Sequence, residues 1–196
     1  MDSTTNPLIY EFHSTTHLYE GIKEPNLRLE VHEYGSDAVQ IKLVNKTFAK
    51  QKNEVGQHCV FFATTCCCYL WLHLNHSFRL VYMEVFLLLW LVPLLWRLLS
   101  IVESETFIYC YDFGMHLQVK KLLGKSNSFI TSSNIHDVRI NEVVENFDFR
   151  YLLIIRTKGK LFQKKPIIPV FKIFKPTCDC LSLIYKSLNQ VMLKEA

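Results

Sequence analysis

Apolar residues fall into three regimes along this chain, each with its own period. From Leu27 to Val44 (LRLEVHEYGSDAVQIKLV) apolar and polar side chains alternate on both sides of Gly35-Ser36-Asp37. A period of two around a turn predicts one β-hairpin. Two unbroken apolar runs follow, Cys59 to Leu74 and Leu80 to Val102, with only Asn75-His76-Ser77-Phe78-Arg79 between them. As helices they measure roughly 24 Å and roughly 34 Å, against a hydrocarbon core of about 30 Å. The second is long enough to span, and the first spans only if the bilayer thins or flanking polar residues enter the interface. A tight helical hairpin is expected, crossing the membrane or dipping in and returning, with both flanks on one side.

Period two returns after residue 103. Thr106–Tyr111 and Met115–Lys120 flank Asp112-Phe113-Gly114, predicting a second β-hairpin. Phe129-Ile130 begins another piece, and Ile135, Val138, Ile140 and Val143 mark a strand that starts after Ser132-Ser133-Asn134. Two apolar runs, Tyr151–Ile155 and Ile167–Phe171, read as short strands, with Pro169 placing the latter at an edge or bulge. From Pro176 the period becomes helical: Leu181, Ile184, Leu188, Val191 and Met192 form one stripe, and Pro176 suits the first turn. The predicted class is α+β: a membrane-embedded helical hairpin, then an antiparallel β module of about five strands closed by one C-terminal helix. That element order is pleckstrin-homology-like. The expected division is 1–58, a cytosolic N-terminal segment with a β-hairpin; 59–102, the membrane hairpin; and 103–196, the cytosolic β module. Two strands alone are marginal in water, so the first hairpin is expected to complete the later sheet.

Charge orients this scheme. Residues 1–58 hold 6 Lys/Arg against 8 Asp/Glu, residues 59–102 hold 2 against 1, and residues 103–196 hold 14 against 9. So slight a basic excess argues against nucleic acid, which needs clustered cations on one face. Lys42, Lys46, Lys50 and Lys52 precede the first run and Lys120, Lys121 and Lys125 follow the second, whereas the intervening turn offers Arg79. The positive-inside rule then places both polar portions in the cytosol. The N-terminus lacks the basic and apolar regions of a cleavable signal. Glu84 and Arg97 lie near opposite ends of the second run and are expected to snorkel rather than pair.

Candidate chemistry is sparse. Asp112-Phe113-Gly114 has no Gly-rich phosphate loop or HRD loop beside it and reads as a turn. Glu142, Glu145 and Asp148 would share a face only on a helix, and the stretch reads as strand and turn. Among 7 Cys, Cys66, Cys67 and Cys68 sit within an apolar run, and Cys178 and Cys180 lack metal-site spacing. No catalytic residue, cofactor or metal is therefore expected. Arg156, Lys158, Lys160, Lys164 and Lys165 form a basic loop that could face anionic lipid headgroups or simply be a solvated tip.

Within residues 103–196 the chain resembles the PIG-H family of phosphatidylinositol N-acetylglucosaminyltransferase components. The resemblance rests on Glu103-Ser104, Phe113-Gly114-Met115-His116-Leu117-Gln118, Phe129-Ile130 and, most specifically, Ile135-His136-Asp137-Val138-Arg139-Ile140-Asn141-Glu142. Pro169-Val170-Phe171, Lys175-Pro176 and Cys180-Leu181 with Ile184-Tyr185 continue it. Thr177-Cys178 and the basic loop depart from the family pattern. The resemblance implies a non-catalytic subunit on the cytosolic face of the endoplasmic reticulum membrane. Its partners would be a separate catalytic A subunit and other components of the complex that begins glycosylphosphatidylinositol (GPI) anchor synthesis. Asp137, Ile140, Asn141 and Glu142 become partner-binding or fold-defining candidates. The alternatives are a membrane-anchored adaptor for anionic lipid headgroups and a hairpin that wedges into one leaflet.

Overall fold

The structure, a computed structural model, describes residues 7–15, 24–35, 37–76, 81–145 and 148–192. The chain forms two units, one of residues 1–46, 103–120 and 125–196, the other of residues 47–102 and 121–124.

In the first unit β1 (Leu8–Phe12), β2 (Leu27–Tyr34), β3 (Ala38–Asn45), β4 (Val102–Cys110), β5 (Gly114–Lys121) and β6 (Lys125–Thr131) form one sheet in chain order. A second sheet orders β7 (Ile135–Glu145), β8 (Asp148–Thr157) and β9 (Ile167–Val170). Alternation explains the first sheet: Leu29 sits opposite Leu43 and Val31 opposite Ile41, all buried, while Glu30 and Lys42 on the other face form an ion pair at 3.3 Å. The first hairpin does complete the later sheet, because β3 pairs antiparallel with β4. Between β4 and β5 the chain turns at residues 111–113, and Gly114 has φ +123°. A Cβ there would collide with the Ile130 carbonyl oxygen and the Ser132 amide nitrogen, so only glycine fits. The Asp112-Phe113-Gly114 triplet is a hairpin connection, as read from the sequence.

Two α-helices belong to this unit, α3 (Gly159–Lys164) and α4 (Cys178–Met192); they are numbered after the two of the second unit. Helix α4 lies against β3, β7 and β8, with Cys180, Leu181, Ile184, Leu188 and Val191 buried. The apolar stripe thus packs as its period predicts. It shares the interior with Phe107, Met115, Leu153 and Ile155, all fully buried.

The second unit consists of α1 (Phe48–His76) and α2 (Val81–Ser100). Both are long and apolar enough to cross a membrane, over Phe48–Leu74 and Tyr82–Ser100, and only 6% of each span's apolar window is buried. A soluble core helix would hide that surface. Val55, Leu94 and Ile101 make a small buried cluster, with Phe48, Cys59, Phe62, Leu98 and Leu122 packed on it. Trp90 gathers Phe61, Phe62 and Phe86 at ring distances of 5.3, 5.7 and 5.9 Å.

Several expectations need correction. The first apolar run is not short: α1 starts at Phe48 and its 29 residues measure roughly 43 Å. Lys50, Gln51, Lys52 and Glu54 are good helix formers that hydropathy alone cannot assign. There are nine described strands in two sheets rather than about five, and β1 arises from a segment read as a polar terminus. Pro176 precedes the helix instead of opening it, bridging Ser14 while α4 starts at Cys178. Glu84 does not merely snorkel, since it accepts a 2.7 Å hydrogen bond from the Tyr69 hydroxyl across the two helices. The expected tight turn through Ser77, Phe78 and Arg79 lies outside the described residues, as does Ser36.

Ile184→Ala combined with Leu188→Ala should destabilise the β unit strongly, at roughly 2–5 kcal/mol for each buried aliphatic truncated. Thermal unfolding of the purified chain checks it, and an unchanged midpoint would exclude a buried stripe.

Candidate functional site

The β7–β8 hairpin carries most candidates. Its register sets Asp137 opposite Arg156, Ile140 opposite Leu153, Asn141 opposite Leu152 and Glu142 opposite Tyr151. A register shift between Ile135 and Asp137 leaves His136 as the extra residue of a bulge. Arg156 grips Asp137 with two N–H groups, Nε to Oδ1 at 2.6 Å and Nη2 to Oδ2 at 2.5 Å, and Arg139 Nε adds a bond to Oδ2 at 2.7 Å. These donors, Arg156 foremost, hold the Asp137 carboxyl down to about 2. Asp137 is thus the anchor of a strand pair.

Asn141 and Glu142 differ from it in their environment and in not closing the strand, as their position after an apolar run suggested, because β7 continues to Glu145. Asn141 is exposed and Glu142 only partly covered. The Glu142 carboxylate faces its cross-strand partner Tyr151 and pushes that phenol above its ordinary value. Ile140 is buried.

The basic stretch divides in two. Arg156 is in strand β8, committed to Asp137, and not in a loop. Lys158 precedes α3 and Lys160 and Lys164 are on it, with Lys165 following, so the expected open tip is a helical turn. Its lysines are exposed, and Phe162 between them is 56% exposed. The buried Thr157 straps this turn down, its N–H meeting the Pro166 carbonyl at 3.0 Å and its hydroxyl donating to the Lys165 carbonyl at 2.6 Å.

Glu105 escaped the sequence reading. On β4 it is 5% exposed and lines a cavity of about 270 Å³ with Leu117, Val119 and Phe171. The Ile173 N–H reaches Oε1 at 3.4 Å, while Oε2 has no hydrogen-bond partner among the described residues. Burial pushes its carboxyl up to about 7, against the lowering effect of the Ile173 and Phe174 N–H groups. The signal was present: Glu105 is in phase with Phe107 and Tyr109 at period two, inward on a strand begun earlier than Thr106.

The thiols behave as small hydrophobes. All seven Cys are free, and burial pushes Cys180 up to about 12. No cluster of three or more metal-ligating side chains occurs among the described residues.

Residues 100–172 match the family model described as "GPI-GlcNAc transferase complex, PIG-H component". The corresponding H component of phosphatidylinositol N-acetylglucosaminyltransferase from Mus musculus is 31% identical over 94 residues, covering 46% of this chain and 50% of that protein. Its counterparts from Homo sapiens and Bos taurus are each 28% identical over 94 residues with the same coverage. The chain thus spans about half the length of the curated relatives it matches. The similarity read from the Ile135–Glu142 motif stands, and the family model takes in β4 through β9. No solved structure matches the chain, so the pleckstrin-homology-like likeness rests on element order alone.

Glu105 generates a pH test with a defined sign. Its folded value lies above the ordinary 4.5, so its favourable contribution is complete below that pH and is lost as pH rises through about 7. The full difference corresponds to roughly 3 kcal/mol. Glu105→Gln should unfold at a higher temperature than the wild type at about pH 8, and the gap should shrink towards pH 5. An equal gap at both pH values would refute the assignment. Asp137 does not interfere, because its contribution is lost only as pH falls below 3.8 towards about 2.

Proposed function

We propose that this chain is a non-catalytic subunit of the complex that transfers N-acetylglucosamine from UDP-N-acetylglucosamine to phosphatidylinositol, the first step of GPI anchor synthesis. The observation that carries the reading is the match of residues 100–172 to the PIG-H component. The fold is in keeping with it. Both sheets are built from antiparallel hairpins, without, among the described residues, the parallel βαβ crossover at whose switch point nucleotides are bound. Transfer itself then belongs to the catalytic A subunit, and this chain supplies a β unit tied to a pair of apolar helices.

The membrane is that of the endoplasmic reticulum, with both termini and the β unit on its cytosolic face. Supporting this, β3 and β4 flank the helices and pair with one another, so the chain leaves and re-enters the same sheet. Lysines at both flanks choose the cytosolic side. Proteolysis of sealed microsomes should digest residues 103–196, and Asn45 should carry no glycan. Protection of the β unit would overturn this orientation.

Within the β7 motif the candidates separate by environment. Asp137 holds the fold through Arg156, Ile140 supports the sheet, and Asn141 and Glu142 contact the catalytic partner. Asn141→Ala with Glu142→Ala should abolish co-precipitation with the A subunit and reduce glucosaminyl-phosphatidylinositol synthesis in cells while protein abundance stays normal. Retained co-precipitation would remove these two residues from the contact. Transfer by the purified single chain would sink the non-catalytic reading.

A further inference from the structure

A groove at the far end of the β7–β8 hairpin has a composition that neither the fold nor the proposed place in a complex accounts for. It encloses about 280 Å³ and is lined by Thr15, Val143, Arg150, Tyr151, Lys172 and Lys175 among others. Three cations come from two separate pieces of chain, Arg150 from β8 and the lysines from the turn after β9, and no acid lines the groove among the described residues. The nearby Glu142 carboxylate is turned to the Tyr151 hydroxyl. Between the cations the wall is apolar: Val144 is 67% and Tyr151 38% exposed.

The backbone holds the two lysines in place at some conformational expense. Phe171 and Lys175 both have positive φ, +54° and +47°, which residues other than glycine seldom adopt. Three hydrogen bonds fix that turn. The Lys175 N–H donates to the Phe171 carbonyl at 3.2 Å, and the Lys175 carbonyl accepts from the Thr15 N–H at 3.0 Å and the Thr15 hydroxyl at 3.1 Å.

Cations around an apolar wall suit a ligand with a compact anion joined to hydrocarbon. A free polyanion gains nothing from the exposed valine and tyrosine, and an uncharged lipid gains nothing from the lysines. We infer that the groove of Arg150, Lys172 and Lys175 binds the phosphate of an anionic phospholipid, with the glycerol and upper acyl carbons against Val143, Val144 and Tyr151. The inference does not depend on membership of the transferase complex. It also moves lipid recognition away from the α3 lysines, whose helical turn is exposed and lines none of this groove.

The test uses the full chain in phosphatidylcholine nanodiscs, titrated with dihexanoyl phosphatidic acid, glycerol 3-phosphate and dihexanoyl phosphatidylcholine. Partition into the disc is common to all protein variants and cancels between them. Phosphatidic acid should bind, more weakly as salt rises, and both other probes should bind at least tenfold more weakly. Near a membrane surface each cation is worth about fivefold in affinity, so Arg150→Gln with Lys172→Gln should weaken phosphatidic acid roughly 25-fold. Lys160→Gln, Lys164→Gln and Lys165→Gln together should leave it within about twofold. Should the double variant misfold, the exposed Lys172 changed to Glu provides the same reading alone, with a loss above fivefold. Equal binding of glycerol 3-phosphate would assign the phosphate to a soluble source and overturn the lipid assignment. Wild-type affinity in the groove variants, or an equal loss in the α3 triple variant, would overturn the site.

Discussion

The pairing of β3 with β4 is the constraint from which the rest follows. Val44 sits opposite Ser104 and Ile41 opposite Phe107, so the chain must come back to a neighbouring strand after the whole excursion through α1 and α2. Strands in a sheet lie about 4.8 Å apart. Two helices satisfy that return and one does not, which makes the helical pair a long connection inside a β-hairpin rather than an appended anchor. The same pairing makes the N-terminal hairpin part of the β unit, since β3 gains its second neighbour only when residues 102–110 arrive. Loop closure grows dearer only slowly with length, so a long insertion is tolerated when it is itself ordered.

Two acids show how the β unit treats charge. Asp137 meets two arginines, one from its own strand and one from β8, and stays ionised far below ordinary carboxylate values. Glu105 meets backbone N–H groups within an apolar wall, and burial pulls it the other way. One carboxyl locks a strand pair. The other remains a weak point in an otherwise apolar interior and is the natural place for the unit to respond to pH. Neither resembles an acid–base pair, because each is explained by its own surroundings.

Function in such a molecule lies on surfaces rather than in a catalytic centre. The outward positions of β7, the cationic turn α3 and the groove beside Tyr151 are separate faces of one small β unit. A component that serves a lipid-modifying complex gains from that division, since partner contact and lipid contact can be made without competing for the same side chains.

Sequence by itself determined what depends on local periodicity. The alternation in Leu27–Val44, the stripe of Leu181, Ile184 and Leu188, the glycine turn after Phe113, the edge proline Pro169 and the two apolar helices were all legible, because each property belongs to a few neighbouring residues. Tertiary structure decided what depends on register. Nothing near Asp137 announces Arg156, far along the chain, as its partner; that needs the β7–β8 pairing with its bulge at His136. Strand β1 acquires its role only by lying against β2. The gathering of Arg150, Lys172, Lys175 and Thr15 joins segments remote in sequence, and a one-dimensional pattern carries no information about which distant segments a folded backbone brings together.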